Sequence, residues 1–285
     1  MKTQQIPANG LRFTVDLAGK AGAPLVLLLH GFPQTRHTWR HELPALAAAG
    51  YRAAAPDQRG YSPGARPNGV EHYGVDALLA DALALADALG APRFHLVGHN
   101  WGGQLAWLLA VRHAERVRSL SVLSRPHPAA FARAMASDTA QSERSKHHRA
   151  FQDPKTADLL LEDGARRLRG MLSAQGVPKA DIDAYVTPLS SRDALDAALN
   201  WYRAAFAGAS ALALKDLPPA RVPTLFVWGD ADATVGRIAA EATRDYVAAP
   251  YRFVVVPGAG HFITDQQPAP VTKALLAHLA EHAGA

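Results

Sequence analysis

The stretch from Phe94 to Trp107, FHLVGHNWGGQLAW, constrains the fold more than any other part of the chain. A short apolar run meets Gly98-His99-Asn100-Trp101-Gly102, and an alanine- and leucine-rich pattern of helical spacing follows at once. This order predicts a strand, a sharp turn and a helix. Repeated along a chain, strands that alternate with helices form a parallel sheet with right-handed crossovers.

The turn in this stretch has the Gly-x-X-x-Gly spacing of a nucleophile elbow. Small residues on both flanks permit the strained turn that lifts the central side chain into a pocket. The central residue here is Asn100. Because a carboxamide is a poor nucleophile, Asn100 stands at a reactive position without the expected reactivity.

The rest of the chain continues the alternation of strands and helices. Arg12 to Leu17 has the pattern of an edge strand, and near-continuous apolar runs are typical of strands covered on both faces. These runs cover residues 24–30, 51–56, 117–123, 224–228 and 251–256.

Between Leu123 and Val222 the alternation stops and only helical patterns remain. The third of these patterns starts with Ser190 and Asp193, which fit a capping box. The patterns cover residues 129–152, 156–175 and 190–206. We predict an α/β fold with a mostly parallel, twisted sheet flanked by helices. Residues 1–124 and 215–285 form its core domain, and an all-helical cap of residues 125–214 follows the fourth parallel strand as a lid.

Composition and charge exclude several classes of function. The 285 residues include no cysteine, so disulfides, thiolate metal sites and a cysteine nucleophile are excluded. The net charge of +5 comes from dispersed residues, mostly arginine, rather than from a basic run. No apolar run reaches the roughly 18 residues of a membrane span. We expect a cytoplasmic monomer or homodimer that needs no metal or organic cofactor and binds neither nucleic acid nor membrane.

Three side chains follow the carboxyl ends of predicted parallel strands, where ligands bind in an open α/β sheet. In chain order they are Asn100, an acid and His261. Asp232 is the preferred acid, because Asp230 directly follows its strand and is suited to capping the turn. An acid that fixes the tautomer of His261 leaves the other ring nitrogen free to take a proton from water.

The strand before position 30 ends abruptly at His30-Gly31-Phe32-Pro33. An X-Pro bond straight after a buried strand is a candidate cis peptide. A turn there directs the Phe32 amide at the same site, although an ordinary strand-ending loop fits the pattern equally well.

Four segments resemble the epoxide hydrolase branch of the α/β-hydrolase family, which also contains the haloalkane dehalogenases. They read HGFPQTRHTWRHELPALAAAGYRAAAPDQRGYS, VGHNWGG, WGDAD and GAGHF. The resemblance implies an elbow aspartate that attacks an electrophilic carbon, followed by hydrolysis of the ester by histidine-activated water. It also implies an oxyanion hole formed by the amides of Phe32 and Trp101. The substrate expected is a small, largely apolar epoxide or related electrophile.

The resemblance further implies two cap tyrosines that hold and protonate the epoxide oxygen. Tyr202, in LNWYR, matches the second, and His147, in SKHHR, aligns with the first. A haloalkane dehalogenase is a lesser alternative, with halide bound by Trp101 and the cap residue Trp201. Related fluoroacetate-type dehalogenases carry an arginine directly after the nucleophile, where this chain has Trp101 and then Gln104, so a small carboxylate substrate is disfavoured.

Two hypotheses account for Asn100. In the first, an aspartate has been replaced by design, turnover is blocked or strongly slowed, and slow hydrolysis of the amide restores the aspartate. In the second, Asn100 and His147 are natural parts of a changed chemistry. The protein then binds a ligand without turnover or runs an acid-base reaction with His261 as the base.

Overall fold

The computed structural model describes residues 1–206 and 216–284. Within them the strands form one eight-stranded sheet in the order β1-β2-β4-β3-β5-β6-β7-β8. Strands β3 to β8 are parallel, and β1 and β2 are antiparallel to their neighbours. The strands are β1 Lys2–Ala8, β2 Leu11–Ala18, β3 Leu25–Leu29, β4 Arg52–Pro56, β5 Phe94–His99, β6 Val117–Leu123, β7 Thr224–Gly229 and β8 Tyr251–Val256.

Helices cover both faces of the sheet and fill the connection between β6 and β7. The first three are α1 Glu42–Ala48, α2 Val75–Ala88 and α3 Trp101–Arg112. The inserted helices are α4 Pro128–Ser137, α5 Thr139–Arg144, α6 His147–Ala150, α7 Thr156–Ala174, α8 Lys179–Val186 and α9 Arg192–Phe206. After β7 come α10 Arg237–Ala242, α11 Ile263–Gln266 and α12 Pro268–Glu281.

The predicted mostly parallel sheet with helices inserted after its fourth parallel strand is confirmed. The end of the predicted cap at residue 214 lies outside the described residues. No helix among residues 1–206 and 216–284 is both long and apolar enough to cross a membrane.

Strand β3 shows why the apolar runs form buried strands. Its five residues are all buried, and successive side chains point to opposite faces. Leu25, Leu27 and Leu29 join the core beneath α2 and α3. Val26 and Leu28 join a second core beneath α1 and α12. An unbroken apolar sequence is therefore required, because both faces of this strand are covered.

The hairpin of β1 and β2 was missed by the sequence prediction, which identified only the second strand. Lys2 pairs with Leu17 and Ala8 with Leu11 across a two-residue loop. That loop is Asn9-Gly10, with φ of 47° and 73°. Asn-Gly with both residues left-handed is a strong hairpin signal, so the strand could have been found from the sequence.

The inserted helices differ from prediction in several places. Helix α8 was not predicted, and the backbone of α7 leaves the helical region at Glu162–Ala165. The single helix predicted over 129–152 is divided into α4, α5 and α6, and Asp138 caps α5 by accepting a hydrogen bond from the Ala140 amide at 3.0 Å. The capping box predicted at Ser190 is wrong by one residue. Ser191 Oγ accepts from the Ala194 amide at 3.2 Å, whereas Ser190 Oγ donates to the Thr187 carbonyl.

Candidate active site

The elbow between β5 and α3 holds Asn100 in a strained conformation, with φ 53° and ψ −119°. Neighbouring glycines leave room for it. A Cβ on Gly102 would lie 2.1 Å from the Leu29 carbonyl oxygen, so that turn packs against β3 only with glycine there. A Cβ on Gly31 would lie 2.3 Å from the Asn100 Cβ. Glycine is therefore required at these positions of the motif because neighbouring backbone segments approach closely there.

The Asn100 carboxamide is held by three groups. Its Oδ1 accepts hydrogen bonds from the backbone amides of Trp101 at 2.7 Å and Phe32 at 3.2 Å. Its Nδ2 lies 2.7 Å from His261 Nε2. Because backbone amides can only donate, the oxygen of the carboxamide must face them and the nitrogen must face His261. The Phe32-Pro33 bond that brings the Phe32 amide here is cis, as its position in the sequence suggested.

The structure places His261 against Asp232 and not against Asp230. His261 Nδ1 lies 2.8 Å from Asp232 Oδ2, and both residues are buried. The other carboxylate oxygen of Asp232 accepts from the Thr234 and Val235 amides at 2.7 and 2.9 Å. Asp230 instead accepts from the Gly258 amide at 2.6 Å and caps that turn. Asp232 therefore fixes the tautomer that leaves the Nε2 lone pair directed at position 100.

Comparison with known proteins places this geometry in a family. Residues 24–268 match the family model described as the alpha/beta hydrolase fold. The chain belongs to the alpha/beta hydrolase family, in its epoxide hydrolase branch. It is 35% identical over 316 residues to epoxide hydrolase A of Mycobacterium tuberculosis, covering 96% of each chain.

Two solved structures resemble this alpha/beta hydrolase over nearly all of its length. An epoxide hydrolase from metagenomes of hot environments has a TM-score of 0.87 and 31% identity, with 99% of each chain covered. A point mutant of a Bacillus megaterium epoxide hydrolase, complexed with its product, a naphthyloxy-propane-diol, has a TM-score of 0.86 and 26% identity. That match covers 97% of this chain and 100% of the other.

In this hydrolase, Tyr202 lies on α9 directly above the elbow. Its ring centroid is 5.1 Å from that of Trp101 and 5.5 Å from that of Phe32. The Trp101 indole lies against the Tyr202 phenol, and its effect on the hydroxyl partly offsets the effect of burial on the Tyr202 pKa. An indole N–H can only donate, so the phenol keeps its own proton available. Burial raises the pKa of Tyr202, which keeps the phenol protonated.

The structure brings His147 to the site but gives it an unexpected hydrogen-bonding role. Its Nδ1 lies 3.1 Å from the Arg144 carbonyl oxygen, which can only accept, so that nitrogen carries the proton. Burial lowers the pKa of His147, which favours the neutral ring. Neutral His147 therefore offers the site an acceptor, unlike the tyrosine with which it aligns.

The indole of Trp201, predicted to be a substrate-binding cap residue, is engaged within the protein. Its indole N–H donates to the Arg59 carbonyl at 2.8 Å, and its ring packs between Tyr61 and Trp101. Trp201 is absent from the described lining of the two cavities that contain Asn100. Neighbouring residues on a helix point about 100° apart, so Trp201 and Tyr202 contact Trp101 from different directions.

Two cavities share Asn100 and Tyr202 as lining residues. The histidine cavity, of about 290 Å³, contains His147, His261 and Phe32. The arginine cavity, of about 280 Å³, contains Trp101, Gln104, Arg125, Phe131 and His148. Burial lowers the pKa of His148 to about 2, so this histidine is neutral.

Sequence reasoning did not select Arg125 or His148, and it considered Gln104 only as a missing arginine. Arg125 follows β6 by two residues, so the rule that ligands bind at carboxyl strand ends could have indicated it. His148 and Gln104 carry no such signal. They converge on the elbow only through the packing of α6 and α3.

One group of potential metal ligands lies away from these cavities. His278, Glu281 and His282 on α12 hold ligand atoms within 4.8 Å of one another among the described residues. Their i, i+3, i+4 spacing places them on one helix face, a pattern that sequence analysis passed over. None of the three lines either cavity around Asn100.

Proposed function

We propose that the site opens an epoxide to a diol through an ester at position 100, and that Asn100 makes this reaction very slow. The main support is the Asn100 carboxamide itself. Its oxygen accepts from both backbone amides and its nitrogen faces His261, which is where the two oxygens of an aspartate would lie. The identity to epoxide hydrolases over nearly the whole chain supports the same chemistry.

With aspartate at position 100, the first step forms the ester. The carboxylate oxygen on the His261 side attacks one epoxide carbon, the bond from that carbon to the epoxide oxygen breaks, and the oxygen takes a proton from Tyr202. The other carboxylate oxygen remains on the Phe32 and Trp101 amides. Tyr202 is the best-supported proton donor because its hydroxyl proton is available, whereas the His147 proton is bonded to the Arg144 carbonyl.

Hydrolysis of the ester completes the reaction. His261 takes a proton from water through Nε2, and the hydroxide attacks the ester carbonyl carbon. The amides of Phe32 and Trp101 stabilise the negative oxygen of the tetrahedral intermediate. When the ester bond breaks, the leaving alkoxide takes the proton held by His261 and the diol is released. The new carboxyl group gives its proton back to the Tyr202 phenolate, which restores the carboxylate and the phenol.

Asn100 interferes with the first step because the amide nitrogen lone pair is delocalised and its hydrogen occupies His261. The same oxyanion hole polarises the carboxamide, however, so water activated by His261 slowly converts Asn100 to aspartate and releases ammonia. That conversion adds about one mass unit. An aged sample is thus expected to gain activity.

Intact-mass spectrometry with styrene oxide tests this proposal. The native chain, Asn100→Asp, and Asn100→Asp combined with His261→Gln are compared. We expect diol from Asn100→Asp and an accumulated ester, heavier by one substrate, on the double variant. Fresh native chain should show neither, and product should appear only as its mass rises by one unit.

Two outcomes contradict the proposal in different ways. If Asn100→Asp forms no diol and the double variant forms no ester, the hydrolase chemistry is wrong and saturable binding alone would identify a ligand-binding protein. If the native chain turns over at once without the mass change, Asn100 is compatible with catalysis. An acid-base reaction of His261 would then be the better description.

Haloalkane dehalogenation has less support than epoxide opening. A halide site at the elbow needs two converging N–H donors, and the Trp201 donor is bonded to the Arg59 carbonyl. Trp101 is thus left without Trp201 as a second halide donor.

A further inference from the structure

Arg125 brings a positive charge into the cavity beside the elbow. It lies two residues beyond the end of β6 and lines the arginine cavity together with Asn100 and Tyr202. Burial lowers the pKa of Arg125 to about 10, so its guanidinium remains charged at neutral pH. Arg125 is half-buried by its solvent exposure, and a charge withdrawn from water in this way is stabilised by an anion from the protein or from a ligand.

The described residues do not supply an anion for Arg125. None of their ion pairs includes Arg125, so no carboxylate among them lies within 4 Å of its guanidinium. Residues 207–215 carry no acidic side chain in the sequence. The contacts of Arg125 are a hydrogen bond from Nε to Gln104 Oε1 at 2.9 Å and the face of the Phe131 ring, 4.4 Å away. These contacts orient the guanidinium without neutralising it.

Gln104 adds a second unused donor to the same cavity. It is 1% exposed, and its Nε2 has no hydrogen-bond partner among the described residues. Because Oε1 accepts from Arg125, the amide orientation is fixed and Nε2 is the free end. A buried amide nitrogen without an acceptor is costly, so the cavity lacks an acceptor that a ligand can provide.

The rest of the lining limits the kind of anion that fits. Arg125 is the sole cation among the described lining residues, and His148 is neutral. A single positive charge matches a monoanion rather than a phosphate dianion, and a planar fork of donors matches a carboxylate. The remaining described lining is mostly apolar: Pro128, Phe131, Ala132, Met135 and Ala205.

We propose that the arginine cavity binds a substrate carboxylate through Arg125 and Gln104, so that the substrate is an epoxy acid with an apolar body. This inference rests on the proposed function and names its substrate class. It replaces the expectation, drawn from Trp101 and Gln104, that a carboxylate is disfavoured. The charge comes from the end of β6 instead of from the residues after the elbow.

The test compares binding of 3-phenylpropanoate and its neutral isostere 3-phenylpropanamide to the native chain by calorimetry. Neither ligand reacts, so the result does not depend on turnover. We expect the carboxylate to bind roughly tenfold or more tightly than the amide, because it pairs with a half-buried charge. Arg125→Met should abolish that preference, and Gln104→Leu should reduce it while keeping the charge.

Arg133→Met is the matched control. Arg133 lies on α4, is outside both cavities and pairs with Asp245 at the surface, so its loss removes the same net charge without touching the site. Equal binding of acid and amide by the native chain overturns the proposal, as does a preference that persists in both Arg125→Met and Gln104→Leu. Thermal unfolding of each variant identifies loss of fold.

A second measurement separates this inference from the proposed function. Asn100→Asp is given styrene oxide and its para-carboxylate, and kcat/KM is compared. A preference for the carboxylate that disappears in the Arg125→Met background supports both ideas. If 3-phenylpropanoate binds selectively but neither epoxide is opened, the anion site is supported and the hydrolase chemistry is contradicted.

Discussion

At the scale of one residue, position 100 shows how a single group changes the use of a whole site. The carboxamide donates to His261 Nε2 and so occupies the lone pair that would otherwise meet water. A carboxylate in the same place cannot donate. The exchange of oxygen for nitrogen at this position therefore changes both the reactivity of the side chain and the hydrogen bonding of His261.

Gly31 provides a stability prediction at this scale. A side chain on Gly31 would meet the Asn100 Cβ at 2.3 Å, and the elbow conformation leaves Asn100 little room to move. We expect Gly31→Ala to lower the free energy of unfolding by about 1–3 kcal/mol, as overpacking does in a tight core. Urea unfolding measures the change.

Gly170→Ala is the control for this substitution. Gly170 is exposed on α7, and a Cβ there would meet nothing within 4 Å. Its replacement should raise the free energy of unfolding by about 0.5–1 kcal/mol, since alanine favours a helix interior. An unchanged free energy of unfolding for Gly31→Ala would contradict the prediction and mean that the elbow shifts to make room for the side chain.

At the scale of elements, α9 carries Tyr202 to the site, and Ser191 fixes where that helix begins. We expect Ser191→Ala to cost about 1 kcal/mol of stability, because the Ala194 amide loses its cap. Ser190→Ala should change stability by less than about 0.5 kcal/mol, because Ser190 is exposed and lies outside the cap. Chemical denaturation of the two variants provides the comparison, and equal effects would contradict this assignment.

The sequence predicted elements best where burial dictates the pattern. Strands such as β3 and β7 were located closely because a strand that is covered on both faces must be apolar nearly throughout. The inserted helices were predicted less well. Adjacent serines at 190 and 191 offer the same capping chemistry, and only the three-dimensional start of α9 decides between them.

The site shows the same division between what a sequence does and does not encode. Asn100, Asp232 and His261 were found because parallel strands end at one edge of the sheet. Arg125 and Gln104 were not selected as partners because their meeting depends on how β6 and α3 pack. Spacing alone also does not say whether Trp201 or Tyr202 lines the cavities, because neighbouring helical residues point in different directions.

At the scale of the whole molecule, buried histidines make stability depend on pH. Burial lowers the pKa of several histidines from 6.5. Among the fully buried ones it falls to about 3 for His99 and to about 4 for four others, which are His30, His95, His127 and His278. Between these values and 6.5 the unfolded chain binds more protons than the folded one. The free energy of unfolding therefore falls as the pH drops below 6.5.

The expected change in the free energy of unfolding is large enough to be measured over a few pH units. Each histidine costs at most about 1.4 kcal/mol per pH unit below its unfolded pKa. Glu42 acts in the opposite direction, because burial raises its pKa to about 8. Its contribution to the free energy of unfolding is lost as the pH rises. It is a single group, however, and the five histidines outweigh it. Urea unfolding at pH 7, 6 and 5 should show falling stability, with a shallower fall in His278→Gln. A constant free energy of unfolding would contradict the prediction.

The division of the arginine cavity between sheet and insertion has a consequence for protein engineering. Arg125 and Gln104 extend from β6 and α3, whereas Phe131, His148 and Ala205 come from the inserted helices. The proposed preference for an acid therefore depends on residues of the sheet and α3, and the inserted helices determine which carbon skeletons fit. A library that varies only the inserted helices should give variants that accept molecules of different size. All of them should still prefer anionic ligands.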